Sequence, residues 1–274
     1  MLDDKLVSVY YAKSLMSEPK IRQSLPDILP EGQVVNRAWL FGKGFDRPAV
    51  DYYLRSKRLL PVAHGYYRLP GPPLRWQHIL YSLNELGFDL HVGGDSALEN
   101  TGVAHYLSSG NVIHFYGCDA PPPWSHEVAT GSVLVHHGKG GFSCHEPAGI
   151  DFRSFGTWDW PLPESTPERA FLEILLKVTD EHDFRSVDKL FDSAVSLRPK
   201  VVQAVLNASQ SVKAKRLFCW YAERHRHSWF EHINVTNVDL GRGKRQIVAQ
   251  GRLDNRYQIT VPADMVSYDE GNLF

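Results

Sequence analysis

Residues 46–68, DRPAVDYYLRSKRLLPVAHGYYR, change hydrophobic period in mid-stretch, and this switch constrains the fold more than any other feature of the chain. At about 100° per residue, Ala49, Val50, Tyr53 and Leu54 fall on one side of a helix. Arg47, Asp51, Arg55 and Arg58 fall on the other, with Tyr52 at its edge. Asp46 is placed to cap this helix, and Pro48 suits a first turn where its missing N–H is not needed. LLPV and YYRL then have the composition of two short strands, and AHG between them is a tight turn in which Gly65 can take positive φ. Upstream, VVNRAWLFGKGF predicts another helix, capped by Asn36, with Val35, Trp39 and Leu40 inward and Gly42 and Gly44 making the turn. Helix, turn, basic helix, hairpin is the order of a winged helix-turn-helix.

The physical case for DNA is direct. An α-helix fits the major groove, and arginine donates two hydrogen bonds to guanine or phosphate. The reading helix is expected over 47–58, offering Arg47, Tyr52, Arg55, Lys57 and Arg58, with the wing over 60–69. Arg68 on the second wing strand is placed to reach backbone phosphate, and His64 at the tip an adjacent minor groove. Arg37 and Lys43 are phosphate candidates from the preceding helix. An isolated basic helix would read as a solvated surface; the turn helix before it and the wing after it favour DNA.

Charge is unevenly divided along the 274 residues, although the formal net charge is only -1. Residues 33–75 sum to +6, residues 76–184 to −11 and residues 185–274 to +5. A basic head, acidic middle and basic tail suggest separate tasks, against the alternative of purposeless drift in surface charge. The 43% hydrophobic and 22% charged fractions are those of a soluble globular protein. Three cysteines predict a reducing compartment without a disulfide framework. The opening MLDDKLVSVYY has no apolar run suited to a signal peptide, and no window approaches a membrane span, so the expected location is the cytoplasm.

Residues 1–30 read as helical at first, then broken at Pro19, Pro26 and Pro30, with Leu25 and Ile28 buttressing the winged unit. PGPP at 70–73 reads as a stiff boundary between a DNA-binding domain (1–74) and a larger mixed domain (75–274). Beyond it, WQHILYSLNELG has helical spacing, and DLHVGGDSALENTG reads as a strand, a glycine turn and a helix capped by Asp95. Residues 111–116 and 132–137 alternate as strands do, and HHGKGGFSCH reads as a glycine-tipped hairpin. Helices are expected from Pro167, over about 199–207 and over about 211–226, with a β-rich end. The fold class is therefore α+β.

Several motifs carry a resemblance. LPEGQVVNRAWL, YYLRSKRLLPVAHGYYRLPGPPL, HVGGDSALENTG, STPERAFLE, LRPKVVQAVL, SVKAKRLFCWYAERH and LGRGKR…YQITVP resemble AbiEi family antitoxins of type IV toxin–antitoxin systems, in order, from about residue 25 to about 262. The resemblance implies a winged helix-turn-helix that binds inverted repeats of double-stranded DNA in its own promoter and represses the operon. It implies a C-terminal domain that helps repression and opposes a nucleotidyltransferase-like toxin, directly or indirectly. Ser56-Lys57-Arg58 is more cationic than the family's usual KSGWL, and His64 stands where arginine often precedes the wing glycine.

The antitoxic patch is expected at Lys213, Arg216, Trp220, Arg224, Lys244 and Arg245. On a helical wheel the first four fall within roughly 80° of one another, with Leu217, Phe218 and Tyr221 toward the adjoining side. Cations around a tryptophan suit nucleic acid or an acidic protein surface, and equally an ordinary solvated amphipathic face.

No chemistry outside binding is expected. His136, His137, Cys144 and His145 lack zinc spacing, because adjacent Cys144 and His145 would point to opposite faces of a strand. GRGKR lacks the P-loop spacing, HVGGDS lacks the dinucleotide pattern, and Ser96 and Ser143 lack a nucleophile elbow. His225 and His227 read as surface groups, and TDEHD at 179–183 as a solvated loop. The expectation is a protein with no cofactor, no metal and no catalytic residue. The rivals are an antitoxin that acts enzymatically on its toxin as an atypical kinase, and a plain winged-helix regulator.

Overall fold

The computed structural model describes residues 24–103, 111–157 and 159–265. The helix expected near the N-terminus falls outside them. The first unit runs α1 (Leu25–Ile28), β1 (Val34–Asn36), α2 (Arg37–Gly42), α3 (Arg47–Arg55), β2 (Leu60–Ala63) and β3 (Tyr66–Arg68). Its sheet has the antiparallel order β1-β3-β2, with Val34 and Leu60 both in register with Arg68. Asn36 Oδ1 accepts from Trp39 N–H at 2.8 Å and Asp46 Oδ1 from Ala49 N–H at 2.9 Å, so both expected caps form. Gly44 (φ +88°) turns the chain between the helices, and Gly65 (φ +81°) turns the wing. Leu25, Leu29, Val35, Leu40, Val50, Leu59 and Tyr67 close a small core. This is the arrangement expected of a winged helix-turn-helix.

The helix expected over 47–58 is shorter. It ends at Arg55, and Lys57 takes a left-handed φ of +57°. Arg58 and Leu59 N–H both donate to the Tyr53 carbonyl. The chain must reverse here to bury Leu59, which a helix continued to 58 would carry past the core.

The second unit opens with α4 (Trp76–Glu85) and β4 (Leu90–Val92), followed by α5 (Gly94–Asn100), β5 (Val112–Gly117), α6 (Pro123–Val128), β6 (Val133–His136), β7 (Ile150–Phe155) and β8 (Trp160–Ser165). The strands make one mixed sheet, β6-β5-β4-β8-β7, parallel at β5/β6 and β4/β8 and antiparallel elsewhere. Helices follow: α7 (Pro167–Leu175), α8 (Glu181–Asp192), α9 (Pro199–Ala208) and α10 (Val212–Arg224), then the hairpin β9 (Arg252–Asp254) and β10 (Ile259–Val261). Phe171, Phe184, Phe191, Phe218 and Tyr221 form the centre of the largest core. The expected α+β class holds. No helix among the described residues is long and apolar enough to cross a membrane.

Four local expectations are corrected. TDEHD is not a loop but the start of α8, capped by Asp180, whose Phe184, Val187, Leu190 and Phe191 are buried at helical spacing. HHGKGGFSCH is not a hairpin: β6 ends at His136, and a glycine loop folds over Tyr116 and Glu173, so close that a Cβ on Gly140 would lie 2.9 Å from the Tyr116 ring. Gly93, not Asp95, sits at the N-cap of α5. Cys118 and Cys144 are joined in a disulfide, which the cysteine count had argued against, because folding brings residues 26 apart in sequence to a Cα–Cα distance of 5.6 Å.

The two units share an apolar seam across PGPP. Val34 from β1 packs with Leu74, Ile79, Leu80 and Leu83, and Val62, Ala63 and Tyr66 of the wing pack against the same cluster. The Tyr66 ring lies 5.0 Å from that of Trp124 on α6, and Val34 N–H donates to Ser82 Oγ at 2.8 Å. Truncating Trp124 to alanine would leave a cavity beneath the wing. The expected cost is about 3–5 kcal/mol, read as a lower midpoint in urea unfolding.

Candidate nucleic-acid interface

On α3 and the turn after it, Arg47, Arg55, Lys57 and Arg58 are all exposed. The side chains of Arg55, Lys57 and Arg58 make no hydrogen bond or ion pair with any described residue. Arg47 has only Asp51 as a neighbour, at 4.0 Å, and its side chain is 79% exposed. Tyr52 is also exposed, edge-on to Tyr53 at 5.7 Å. His64 stands in solvent at the wing tip. Lys43 is exposed, with its Nζ 5.2 Å from the Trp39 ring centroid. A cationic surface with so few internal partners leaves its donors for an outside acceptor.

Two expected phosphate ligands already have acceptors within the chain. Arg37 donates from Nε to Tyr67 Oη at 3.0 Å and from Nη2 to Asp51 Oδ1 at 3.1 Å, tying α3 to β3. Arg68 donates from Nη1 to the Pro72 carbonyl at 2.6 Å, so it fastens the wing to PGPP. Both side chains, half-buried, brace the winged unit through these acceptors.

The C-terminal row is corrected more strongly. α10 is a core helix, buried along most of its length. Arg216 is 3% exposed and donates to the carbonyls of Leu240 (2.6 Å), Gly243 (2.6 Å) and Gln258 (3.1 Å). Burial, then the nearby Arg245, lowers its pKa. Trp220 is buried beside Phe184 and donates from Nε1 to Asp254 at 3.2 Å. Arg224 pairs with Asp188 at 3.0 Å and donates to the Met265 carbonyl. Lys213 Nζ reaches the Leu176 carbonyl at 3.0 Å, and burial lowers its pKa. The helical wheel was right about adjacency but could not show that α8 and the β9–β10 hairpin cover both sides. Lys244 and Arg245 remain exposed, on a turn that Arg216 anchors from beneath.

The sequence reading missed a buried polar centre. Glu173 is fully buried and accepts from His91 Nε2 (2.9 Å), Gly94 N–H (2.9 Å), Ser165 Oγ and Arg169 Nε (3.0 Å). Burial alone would raise its pKa, but the His91 hydrogen bond, the charges of His91 and Arg169 and the Gly94 N–H together hold it low. The i,i+4 pair Arg169/Glu173 in STPERAFLE was the available signal. Alongside, Lys177 pairs with Asp95 at 2.5 Å, and His114 Nδ1 lies 2.7 Å from His137 Nε2. Burial, then Lys177 and His114, pushes the His137 pKa down to about 4. A cleft of about 370 Å³ opens nearby, lined by His91, Cys118, Lys139, His145 and Arg169 among others.

The four residues weighed for zinc do not converge. Cys144 is in the disulfide, His136 faces the Gly117 carbonyl, His137 meets His114, and His145 meets Asp89. The group among the described residues that could surround an ion is Asp180, His182 and Asp183, whose carboxylates also accept the N–H groups of the α8 start. Of the histidines read as surface groups, His225 pairs with Asp188, and His227 is buried against the Phe191 carbonyl.

Residues 17–109 match the family model described as the AbiEi antitoxin N-terminal domain of transcriptional regulators, and residues 114–262 match that of the AbiEi antitoxin transcriptional regulators of type IV toxin–antitoxin systems. The chain belongs to the AbiEi antitoxin family. The basic α3 and the wing lie within the AbiEi N-terminal match, while the Glu173 centre is largely in the second. Comparison with curated proteins gives no match. Among solved structures, the crystal structure of the RV2827C protein from Mycobacterium tuberculosis aligns over 84% of this chain and 86% of its own, at 14% identity and a TM-score of 0.49.

Two measurements check this geometry. Arg216→Met should cost about 1–3 kcal/mol of unfolding free energy, since three carbonyls lose a donor that is itself buried. Lys244→Ala and Arg245→Ala should stay within about 0.5 kcal/mol. The folded chain refuses a proton at His137 that the unfolded chain binds below about 6.5. Stability from this group is therefore complete above that pH and is lost as pH falls toward about 4. In denaturant melts across this window, His137→Gln should show a shallower loss than the parent.

Proposed function

We propose that this AbiEi-family regulator binds inverted repeats in its own promoter, represses its operon and counteracts a nucleotidyltransferase-like toxin. The observation that carries the DNA part is the exposed cationic run of Arg47, Arg55, Lys57 and Arg58 on and just after a helix backed by a hairpin wing. An exposed helix of this width enters a major groove, and guanidiniums without internal acceptors lose little on meeting guanine or phosphate. Tyr52 and Lys43 extend the surface, and His64 reaches ahead at the wing tip. Two copies related by a two-fold axis match an inverted repeat.

The division of labour at residue 74 belongs to the same reading. Its second half assigns counteraction of the toxin to the larger unit, with the exposed Lys244 and Arg245 meeting a polyanion or an acidic protein surface. In this reading the protein acts by binding, in the cytoplasm, without a catalytic step. The family's description as transcriptional regulators and antitoxins supports it.

The test is a footprint and gel shift on the duplex immediately upstream of the gene. Arg55→Ala with Arg58→Ala should weaken binding at least about thirtyfold, since each base-reading arginine is worth about 1–3 kcal/mol. It should also flatten the salt dependence by about one logarithmic unit for each phosphate no longer neutralised. Binding left intact in the double variant, with circular dichroism unchanged, would remove this face from the interface.

A further inference from the structure

The disulfide has a position that bears on the wing. Cys118 follows β5 directly, and Cys144 lies in the loop after β6, so the bond closes α6, β6 and their connections into a ring at the end of β5. β6 is an edge strand, hydrogen-bonded to β5 on one side only in the five-stranded sheet. Inside the ring is α6, whose Trp124 supports Tyr66 of the wing at 5.0 Å. Thr130, also inside it, donates its N–H to the Leu74 carbonyl at 2.8 Å, on the segment that leaves the wing. Cys144 is exposed and Cys118 half-buried, so a small reagent can reach the pair. Cys219 is buried, and burial pushes its thiol up to about 12, so it does not compete.

We propose that Cys118 and Cys144 form a reversible redox modification site, oxidised by low-molecular-weight disulfides of the glutathione type, whose state sets how firmly α6 supports the wing. The reaction balances without a cofactor. The Cys144 thiolate attacks one sulfur of the small disulfide, forming a mixed disulfide and expelling one small thiolate. The Cys118 thiolate then attacks the Cys144 sulfur and expels the second. Two protein thiols become one disulfide, two small thiols leave carrying the two protons, and the small disulfide is reduced by two electrons. In the reduced form the edge strand and its crossover keep only their hydrogen bonds and the apolar seam. Local opening of such a unit becomes more frequent when a covalent tie is absent. The consequence for DNA rests on the reading of α3 and the wing given above; the consequence for α6 does not.

The test uses the full chain equilibrated in glutathione buffers of graded oxidation, with thiols trapped by alkylation and assigned by peptide mass spectrometry. The expected result is a Cys118–Cys144 bond that forms and breaks across the series while Cys219 stays a thiol. Hydrogen exchange should slow in residues 112–136 and 60–68 on oxidation, and the Cys118→Ser/Cys144→Ser variant should match the reduced protein in every buffer. Affinity for the duplex upstream of the gene should rise about fivefold or more on oxidation, the low end of a coupling between sites. A pair that remains reduced in oxidising buffer, or exchange that is the same in both states, overturns the proposal. Exchange that changes while DNA affinity does not overturns its link to the wing. If neither state binds the duplex, the DNA reading fails, and the exchange result still decides the redox site.

Discussion

A single buried carboxylate organises the larger unit. Glu173 on α7 holds His91 of β4, the start of α5 through Gly94, Ser165 at the end of β8 and Arg169 one turn back. Arg169 then reaches the Glu146 and Ala148 carbonyls, fixing the loop that carries Cys144. A charge without water is tolerated only when its lone pairs are filled, so each of these elements has one permitted place relative to α7. Gly93 and Gly94 are the residue types this geometry needs, because a Cβ on Gly93 would lie 2.3 Å from Glu173 Oε2. The positions of β4, the start of α5 and the end of β8, and the packing of the glycine loop, are tied to that placement.

The arginines divide into two populations by the acceptors around them. Arg169, Arg216 and Arg224 meet main-chain carbonyls or carboxylates and work as internal ties. Arg37 and Arg68 do the same in the winged unit on a smaller scale. The guanidiniums of Arg55 and Arg58 meet no described partner. Guanidinium donors are directional, so a satisfied arginine adds little to recognition, whereas an unsatisfied exposed one retains its full capacity. Cation counts along the chain could not make this distinction, and the +5 of the tail is partly spent inside the fold.

Short-range features were readable from the residues alone. The caps at Asn36 and Asp46, the turns at Gly44 and Gly65 and the start of α7 at Pro167 each depend on a few neighbours and appear where expected. α8 was missed because its charged exposed face masked the buried spacing of Phe184, Val187, Leu190 and Phe191. The Cys118–Cys144 pair was missed because three cysteines in a chain of this size argue from composition, while a bond depends on proximity.

The helix–turn–helix–hairpin order of the first unit, the basic face of α3 and the wing behind it were determined by the sequence itself, because periodicity and capping are local and need no distant partner. Which cations stay free was decided only by the tertiary structure. The acceptors that take up Arg216 lie 24, 27 and 42 residues further along the chain, and no pattern within a helix reports a carbonyl that folding brings to it. The same holds for the seam between wing and α6, where Tyr66 and Trp124 meet only after the crossover has folded.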